Sequence, residues 1–320
     1  MGTFLYSCLH FLVDFLCAHA MFRWAAEGLL PDALVYNFCA FALQMPLGAL
    51  MDLHSQRQSK LPAAVAALGS ALTILGSITC PAVLGLGNAL FHVGGGIGVI
   101  REDDARHWQG RGLGVFVAPG ALGLFLSGQL FEVDIILFLL IFAVVLLVLL
   151  FRQKTFDATA SKSSNGFGFP LLCCFLVVII RSYVGLSVVF SWKSGFLMGL
   201  AAVLAVVLGK MAGGFFAARF GVRKTAAVSL VLAAVCYGFG NNPLPGLFAL
   251  FLFNMTMPIT LYQIVRRHPQ YPGFCFGLLT FGLFLGFLPV YLGWNLPVDG
   301  VTGSLLSLAL LWPVLRRNET

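Results

Sequence analysis

Charged residues are scarce in this chain of 320 residues. Only 10% are Asp, Glu, Lys or Arg, whereas 59% are hydrophobic, and the mean hydropathy is +0.95. Soluble domains carry about 25% charged residues, so this composition excludes an ordinary soluble protein. Apolar runs of about 18 residues or more cross a bilayer as helices, and the chain has about a dozen such runs or near-runs. We therefore predict an all-α polytopic membrane protein embedded in the lipid bilayer.

The sequence also lacks the patterns of enzymes and metal proteins. It has no zinc motif, no G-x-S-x-G sequence and no pair of catalytic carboxylates. None of its eight cysteines forms a pair with metal-site spacing, and packing is the ordinary use of such residues. We accordingly expect no catalytic activity, no cofactor and no metal. The first apolar stretch contains Asp14 and has no basic residue before it, which is typical of a first transmembrane helix rather than a signal peptide.

The apolar runs predict twelve transmembrane helices in two sets of six. The first set is expected near residues 4–22, 33–51, 62–80, 82–100, 112–131 and 133–151. The second set is expected near residues 169–191, 194–217, 225–240, 245–264, 273–293 and 302–315. One long polar stretch between them has the composition of a flexible linker. The predicted units are therefore an N-terminal bundle at 1–151, a cytoplasmic linker at 152–168 and a C-terminal bundle at 169–320.

Basic residues fall mostly in alternate connecting segments. With the N-terminus inside, the outside loops hold only Arg23 and Lys193. Positive residues collect in cytoplasmic loops, so this bias predicts a multi-pass protein of the cell membrane with both termini cytoplasmic. The topology and the attraction of anionic lipid explain the net charge of +7. Nucleic acid is not expected as a partner.

A shift of 166 residues aligns helices of the same rank in the two halves. The aligned pairs are Gln44–Gly48 with Lys210–Gly214, Asn88–His92 with Asn254–Pro258, and Arg101 with Arg267. One shift that serves three regions indicates a duplicated six-helix unit. Parallel repeats of this kind are typical of transporters.

The loops after the second and eighth helices resemble the loop signature of the major facilitator superfamily, G-x-L-x-D-R-x-G-R-[RK]. The first loop reads GALMDLHSQR and matches at Gly48, Leu50, Asp52 and Arg57. The second reads GFFAARFGVRK and keeps Gly214, Arg219, Gly221, Arg223 and Lys224, with an alanine at position 218 in place of the acid. The resemblance implies the major facilitator fold, with two pseudo-symmetric six-helix bundles. It also implies a cytoplasmic gate motif of Gly48, Asp52, Arg57, Gly214, Arg219 and Arg223.

Three other helices carry motifs that resemble particular branches of that superfamily. The fifth helix has Gly114, Pro119 and Gly123 in an arrangement similar to the antiporter signature, and the proline is expected to kink the helix. The first helix has His10 and Asp14, similar to the H-x-x-x-D of the fosmidomycin-resistance branch. The fourth helix reads GLGNALFH up to His92, similar to G-x-G-x-x-x-F-H of the same branch. Because relatives of that type are proton-coupled drug exporters, the resemblance implies efflux of a drug or metabolite.

Two charges, Asp14 and Arg181, fall near the middle of predicted helices. A charge at that depth costs about 2.5–3.5 kcal/mol on insertion scales, so such residues usually face a cavity or a partner. His10 lies one turn before Asp14. We expect Asp14, His10 and His92 to serve in proton coupling. A buried structural ion pair between Asp14 and Arg181 is the alternative.

The expected substrate cavity contains Arg181, Asn88, Asn254 and Lys210. Lys210 lies about two turns from a helix end, so its side chain could equally extend to the membrane surface.

We expect the chain to be a transporter that moves a small-molecule substrate by alternating access. Protons are the expected coupling ion, and the protein is expected to act as a monomer. The alternative is a non-transporting membrane sensor or assembly partner with the same fold. Flux in proteoliposomes distinguishes the two.

Overall fold

The computed structural model describes residues 2–28, 32–55, 59–130, 136–152, 156 and 168–316. Within these residues the regular structure is entirely helical. Arg57 and nearly all of the predicted linker at 152–168 lie outside the described residues.

Twelve helices lie at the predicted positions in the described residues, and we number them α1 to α12. The first six are α1 (Gly2–Ala26), α2 (Ala33–Asn37, Phe38–Ala42 and Gln44–Ser55), α3 (Leu61–Gly76), α4 (Pro81–Ala105), α5 (Arg111–Val117 and Gly120–Gln129) and α6 (Ile136–Arg152). The last six are α7 (Phe169–Ser187), α8 (Gly195–Phe220), α9 (Val222–Gly238), α10 (Pro243–Asn254 and Thr256–Arg267), α11 (Pro272–Tyr291) and α12 (Gly300–Arg316). Eight spans, namely α1, α2, α4, α5, α7, α8, α10 and α11, are long and apolar enough to cross a membrane.

Several helices run further than the apolar runs predict. The expected end of α4 at residue 100 is wrong, because the helix continues to Ala105 and buries Arg101, Glu102 and Asp103. Glu102 accepts hydrogen bonds from the amide of Thr3 (2.7 Å) and from its hydroxyl (2.9 Å). Glu102 is therefore hydrogen-bonded inside the bundle. Similarly, α8 ends at 220 and α10 at 267, so the basic residues in their last turns lie beside the negative ends of the helix dipoles.

One end of the bundle carries both ends of the described chain, and we call it the basic end. It includes the start of α1, the end of α12 and the connections after α2, α4, α8 and α10. The opposite end is called the far end. Basic residues at the basic end include Lys60, Arg106, Lys224 and Arg266.

The two halves, α1–α6 and α7–α12, meet along two seams of small residues. In the first seam α2 packs against α11, where a methyl group on Gly48 would overlap the backbone of Gly273. In the second seam α5 packs against α8, where a methyl group on Gly214 would lie 2.5 Å from the carbonyl oxygen of Gly110. Glycine at these positions lets two helix backbones touch, as in other membrane helix pairs.

Candidate functional site

A central cavity of about 500 Å³ lies between the two halves. It is lined by α1, α2, α4 and α5 on one side and by α7, α8, α10 and α11 on the other. Its polar lining includes His10, Asp14, Gln44, His92, Arg181, Lys210 and Asn254. Asn88 lies directly behind this surface, 99% buried, and donates a hydrogen bond to Asp14. The cavity thus brings together all the residues predicted for proton coupling and for the substrate.

The central cavity lies near the middle of the spans. Asp14 and Arg181 are each twelve residues from the basic end of their helix, which places both at a depth of about 18 Å. Lys210 lies ten residues from the same end, at about 15 Å, and its side chain faces the cavity. Lining residues nearest the far end are exposed, with Leu124 at 47% and Leu186 at 51%. The cavity is therefore open towards the far end.

Aromatic rings close the cavity towards the basic end. Phe116 of α5 and Phe276 of α11 are almost fully buried, and their ring centroids lie 6.2 Å apart. A second cavity of about 740 Å³, lined by charged residues such as Asp103 and Arg266, lies on the basic side. Leu113 lines this second cavity and Val117, one turn further along α5, lines the central one. The barrier between the two cavities is thus about one helical turn thick.

The acid of the central cavity is surrounded by nitrogen atoms. Asp14 Oδ2 lies 3.1 Å from His10 Nε2, and Asp14 Oδ1 lies 3.8 Å from His92 Nε2. The side-chain amide of Asn88 donates to Asp14 Oδ1 over 3.2 Å. We call His10, Asp14 and His92 the proton cluster.

Both histidines of the proton cluster are held in one tautomer by backbone carbonyls. His10 Nδ1 lies 2.6 Å from the carbonyl oxygen of Phe116, and His92 Nδ1 lies 2.9 Å from that of Asn88. A carbonyl oxygen only accepts, so Nδ1 carries the hydrogen in each ring and Nε2 of a neutral ring is an acceptor. Nε2 of His10 therefore faces a carboxylate oxygen, another acceptor, at 3.1 Å. A proton between these two atoms turns that contact into a hydrogen bond.

The break in α5 supplies one of these carbonyls. Pro119 has no backbone N–H, so the carbonyl of Val115 has no helical donor, and the hydroxyl of Ser7 lies 3.2 Å from it. The next carbonyl, that of Phe116, binds His10. The predicted kink at Pro119 is confirmed, since α5 stops at Val117 and resumes at Gly120.

Glycines on either side of this break allow α5 to approach its neighbours. A methyl group on Gly120 would overlap the carboxylate of Asp14 and the ring of His10, and one on Gly123 would overlap the backbone carbonyl of Phe11. A methyl group on Gly114 would lie 2.9 Å from the carbonyl oxygen of Lys210 in α8. The glycines of α5 therefore position the proton cluster and the second seam.

The ligand atoms of the proton cluster lie within 4.8 Å of one another, a spacing that a metal ion also uses. Two cations, Arg181 and Lys210, line the same cavity. They disfavour a doubly charged ion at the cluster more than a singly charged one.

The two cations have no partner of their own within the part of the chain that the structure describes. Arg181 is 93% buried, its Nη1 atom has no hydrogen-bond partner, and neither Arg181 nor Lys210 forms an ion pair. The ion pair between Asp14 and Arg181 that the sequence suggested is not made in this conformation, since Asp14 is bound by His10 and Asn88.

The gate motif residues separate into different roles. Asp52 accepts hydrogen bonds from the amides of Gly273 (2.8 Å) and Phe274 (2.7 Å), so it caps the start of α11 across the first seam. Arg223 lies over the ring of Trp312, 4.6 Å from its centroid, within its own half. Arg219 is exposed. The structure thus brings Asp52, Gly48 and Gly214 to the seams, and it does not bring Arg219 or Arg223 to Asp52.

Asp103 and Gly120 are functional candidates that the sequence did not single out. Asp103 accepts hydrogen bonds from the amides of Gly110 and Gly112, both at 2.7 Å, and caps the start of α5. The signal in the sequence for this cap is that Asp103 stands seven residues before Gly110, at a glycine-rich helix start. Asp103 falls in a segment that the apolar runs predict to be a loop. Gly120 directly follows Pro119 of the α5 motif, and this position next to the break is its only signal in the sequence.

Comparisons with known proteins show the fold. No protein-family model matches the sequence, and no curated protein matches it. Among solved structures, a variant of the E. coli fucose:proton symporter FucP is similar over 99% of this chain and 97% of its own, with 16% identity and a TM-score of 0.65. The human organic anion transporter MFSD10 is similar over 98% of each chain, with 16% identity and a TM-score of 0.65. A major facilitator transporter in the outward conformation, FucP, aligns over 100% of both chains with 12% identity and a TM-score of 0.61. The chain therefore has the fold of major facilitator transporters.

Proposed function

We propose that this protein is a proton-coupled secondary transporter that moves a small solute across the cell membrane by alternating access. The observation that carries the proposal is the proton cluster, in which two histidines of fixed tautomer face one carboxylate at mid-depth in the cavity between two halves. The basic end is taken as cytoplasmic by the positive-inside rule, with both termini there. The protein is proposed to act as a monomer, since the cavity is complete within one chain.

Alternating access requires that the two halves rock about the central cavity. We take the close backbone contacts at Gly48 and Gly214 as the places where the two halves move against each other. The basic end is closed here by Phe116 and Phe276, so this conformation faces the far end. The opposite conformation would close the far end and open the barrier between the two cavities.

Coupling requires that proton affinity differ between the two conformations. In the present one, Asp14 faces two histidines and no Arg or Lys contacts it. Closing the far end would bring α7 towards α1, and Arg181 towards Asp14. A cation beside the carboxylate favours release of the proton. Proton release would then occur in the conformation that faces the basic end.

The resemblance to drug exporters rests on His10, Asp14 and the run from Gly85 to His92, whereas the resemblance to antiporters rests on Gly114, Pro119 and Gly123. Gly114 packs in the second seam, Pro119 lies at the break in α5, and Gly123 packs against α1. They therefore carry no argument for efflux or exchange beyond the fold, and the proposal rests on the proton cluster.

The test uses purified protein in proteoliposomes loaded with a pH-sensitive dye. Sugars, amino acids, organic acids and organic bases are added outside one at a time under a fixed pH gradient. We expect one class of solute to start proton movement in vesicles with protein and not in empty vesicles. Absence of solute-dependent proton movement, together with absence of labelled-solute flux, would instead favour the sensor or assembly partner.

A further inference from the structure

The charge lining the central cavity is uneven between the two halves. The first half contributes one acid, Asp14, which is bound by His10 and Asn88. The second half contributes two cations, Arg181 on α7 and Lys210 on α8. Asp14 is the sole acid among the described residues that line the cavity. The side of the cavity formed by α7 and α8 is therefore positive, with two cations against the single acid across the cavity.

Keeping two unpaired cations at this depth is costly. A single charge at the middle of a span costs about 2.5–3.5 kcal/mol on insertion scales, and such charges usually have partners. Arg181 does not reach the membrane surface, because it is 93% buried and its Nη1 atom is enclosed without an acceptor. An anionic group bound in the cavity would supply this acceptor.

The remaining lining defines the rest of that molecule. Apolar side chains form most of the wall, among them Phe41, Phe276, Leu279, Leu283 and Phe287. A volume of about 500 Å³ lies within the range that holds drug-sized ligands. An inorganic anion or a sugar would leave most of this apolar wall uncovered. An organic cation would be repelled by Arg181 and Lys210.

We propose that the substrate is an amphipathic organic anion, with one carboxylate or sulfonate held by Arg181 and Lys210 and an apolar body packed against the phenylalanine and leucine wall. The assignment rests on the proposed function, because it takes the central cavity as the substrate site. The planar guanidinium of Arg181 suits a two-oxygen acidic group, and Lys210 adds a second charge from the neighbouring helix.

Equilibrium binding to the full chain in nanodiscs tests the assignment without any transport. The probes are aryl-alkyl carboxylates, from phenylacetate to naphthylbutyrate, each paired with its own neutral carboxamide and its own amine. We expect the carboxylates to bind at least about tenfold more tightly than the matched amides, and the amines to bind least. Equal binding of carboxylate and amide, stronger binding of amines, or binding by none of the probes would overturn the assignment.

Variants locate the acidic group. Arg181→Gln should remove the carboxylate preference and leave amide binding unchanged, which shows that the variant is folded. Lys210→Gln should reduce the preference. Lys193→Gln removes an exposed cation from a far-end loop and should leave both affinities unchanged. A preference that persists in the Arg181 and Lys210 double variant would place the anion elsewhere.

The outcome separates this assignment from the proposed function. Selective carboxylate binding without any flux in proteoliposomes would keep the anion site and contradict transport. Proton-coupled flux of a neutral or cationic solute would keep the transporter and contradict the anion site.

Discussion

Asp14 and its two histidines form the smallest unit with a definable chemistry. The carbonyls of Phe116 and Asn88 fix the hydrogen on Nδ1 of His10 and His92, so the two Nε2 atoms point at the carboxylate. A proton placed between His10 Nε2 and Asp14 Oδ2 would turn a contact between two acceptors into a hydrogen bond. The orientation of the rings, more than their identity, suits the cluster to the proposed proton role.

Gly120 is predicted to be as necessary to this site as the titratable residues. In Gly120→Ala the new methyl group would overlap Asp14 and His10 and push them apart. We expect coupled proton movement to fall at least about tenfold while the protein remains folded, measured by lumenal pH in proteoliposomes and by thermal unfolding.

Gly238→Ala is the matched control, because a methyl group there meets no atom within 4 Å. It should leave proton movement unchanged and stabilise the helix slightly. Normal coupling in Gly120→Ala would show that the contact with Asp14 is dispensable.

The starts of α11 and α5 are capped by acids from different places in the fold. Asp52 of α2 caps α11 across the first seam, whereas Asp103 of α4 caps α5 within one half. The 166-residue repeat places Ala218 opposite Asp52 and Pro269 opposite Asp103. The starts of α5 and α11 are thus each capped by one acid. Position 218 has no acid, and Asp103 caps α5 instead.

This difference predicts separate effects of the two caps. Asp52→Ala and Asp103→Ala should each lower the free energy of unfolding by about 1 kcal/mol, the usual value of an N-cap. Only Asp52→Ala should weaken closure of the basic end, because only Asp52 joins the two halves.

The readout is a cysteine introduced at Ile97, which is fully buried with its side chain against Gly273. Alkylation from the basic side should speed up in Asp52→Ala and stay slow in Asp103→Ala. Equal acceleration in both variants would reduce the Asp52 contact to local stability.

The helices could be predicted from the sequence, but their charged ends could not. Long apolar runs specify the spans because lipid leaves the backbone no other hydrogen bonds. Arg101, Glu102 and Asp103 look like a loop, yet they are buried because Thr3 and the start of α5 supply partners from distant positions.

The candidate site also has features that the sequence predicts and features that it does not. His10 and Asp14 could be paired from their spacing, since residues four apart share a helix face. The tautomer of His10 depends on its contact with the carbonyl of Phe116. The direction of that carbonyl follows from the geometry of the break at Pro119, which the sequence does not specify. The unpaired state of Arg181 depends on the conformation of the whole molecule and has no signal in the sequence.

The charges of both halves determine the direction of the proposed coupling. The groups facing the cavity that titrate or carry charge are His10 and Asp14 on α1, Tyr36 on α2, His92 on α4, Arg181 on α7 and Lys210 on α8. A proton added to the cluster makes the cavity more positive, so it strengthens binding of an anion, and the anion strengthens binding of the proton. Joint binding of this kind favours movement of both in the same direction. Affinity for an aryl sulfonate, which remains ionised, is expected to rise as the pH falls.

The orientation of the molecule can be tested at two exposed lysines. Lys60 lies at the basic end and Lys193 in a far-end loop. In cells, Lys60→Cys should react with a membrane-impermeant maleimide only after permeabilisation, and Lys193→Cys should react without it. The reverse pattern would invert the topology.

The most direct test of proton coupling is proton movement driven by naphthalene-2-sulfonate in proteoliposomes, followed by lumenal pH. A sulfonate crosses lipid poorly, so its flux reports the protein. In the unaltered protein and in Lys193→Gln, inward sulfonate movement should acidify the lumen. In Asp14→Asn the acidification should disappear while exchange of labelled sulfonate at equal concentrations continues, because exchange needs no net proton movement. Unchanged acidification in Asp14→Asn would contradict the assignment of the proton site.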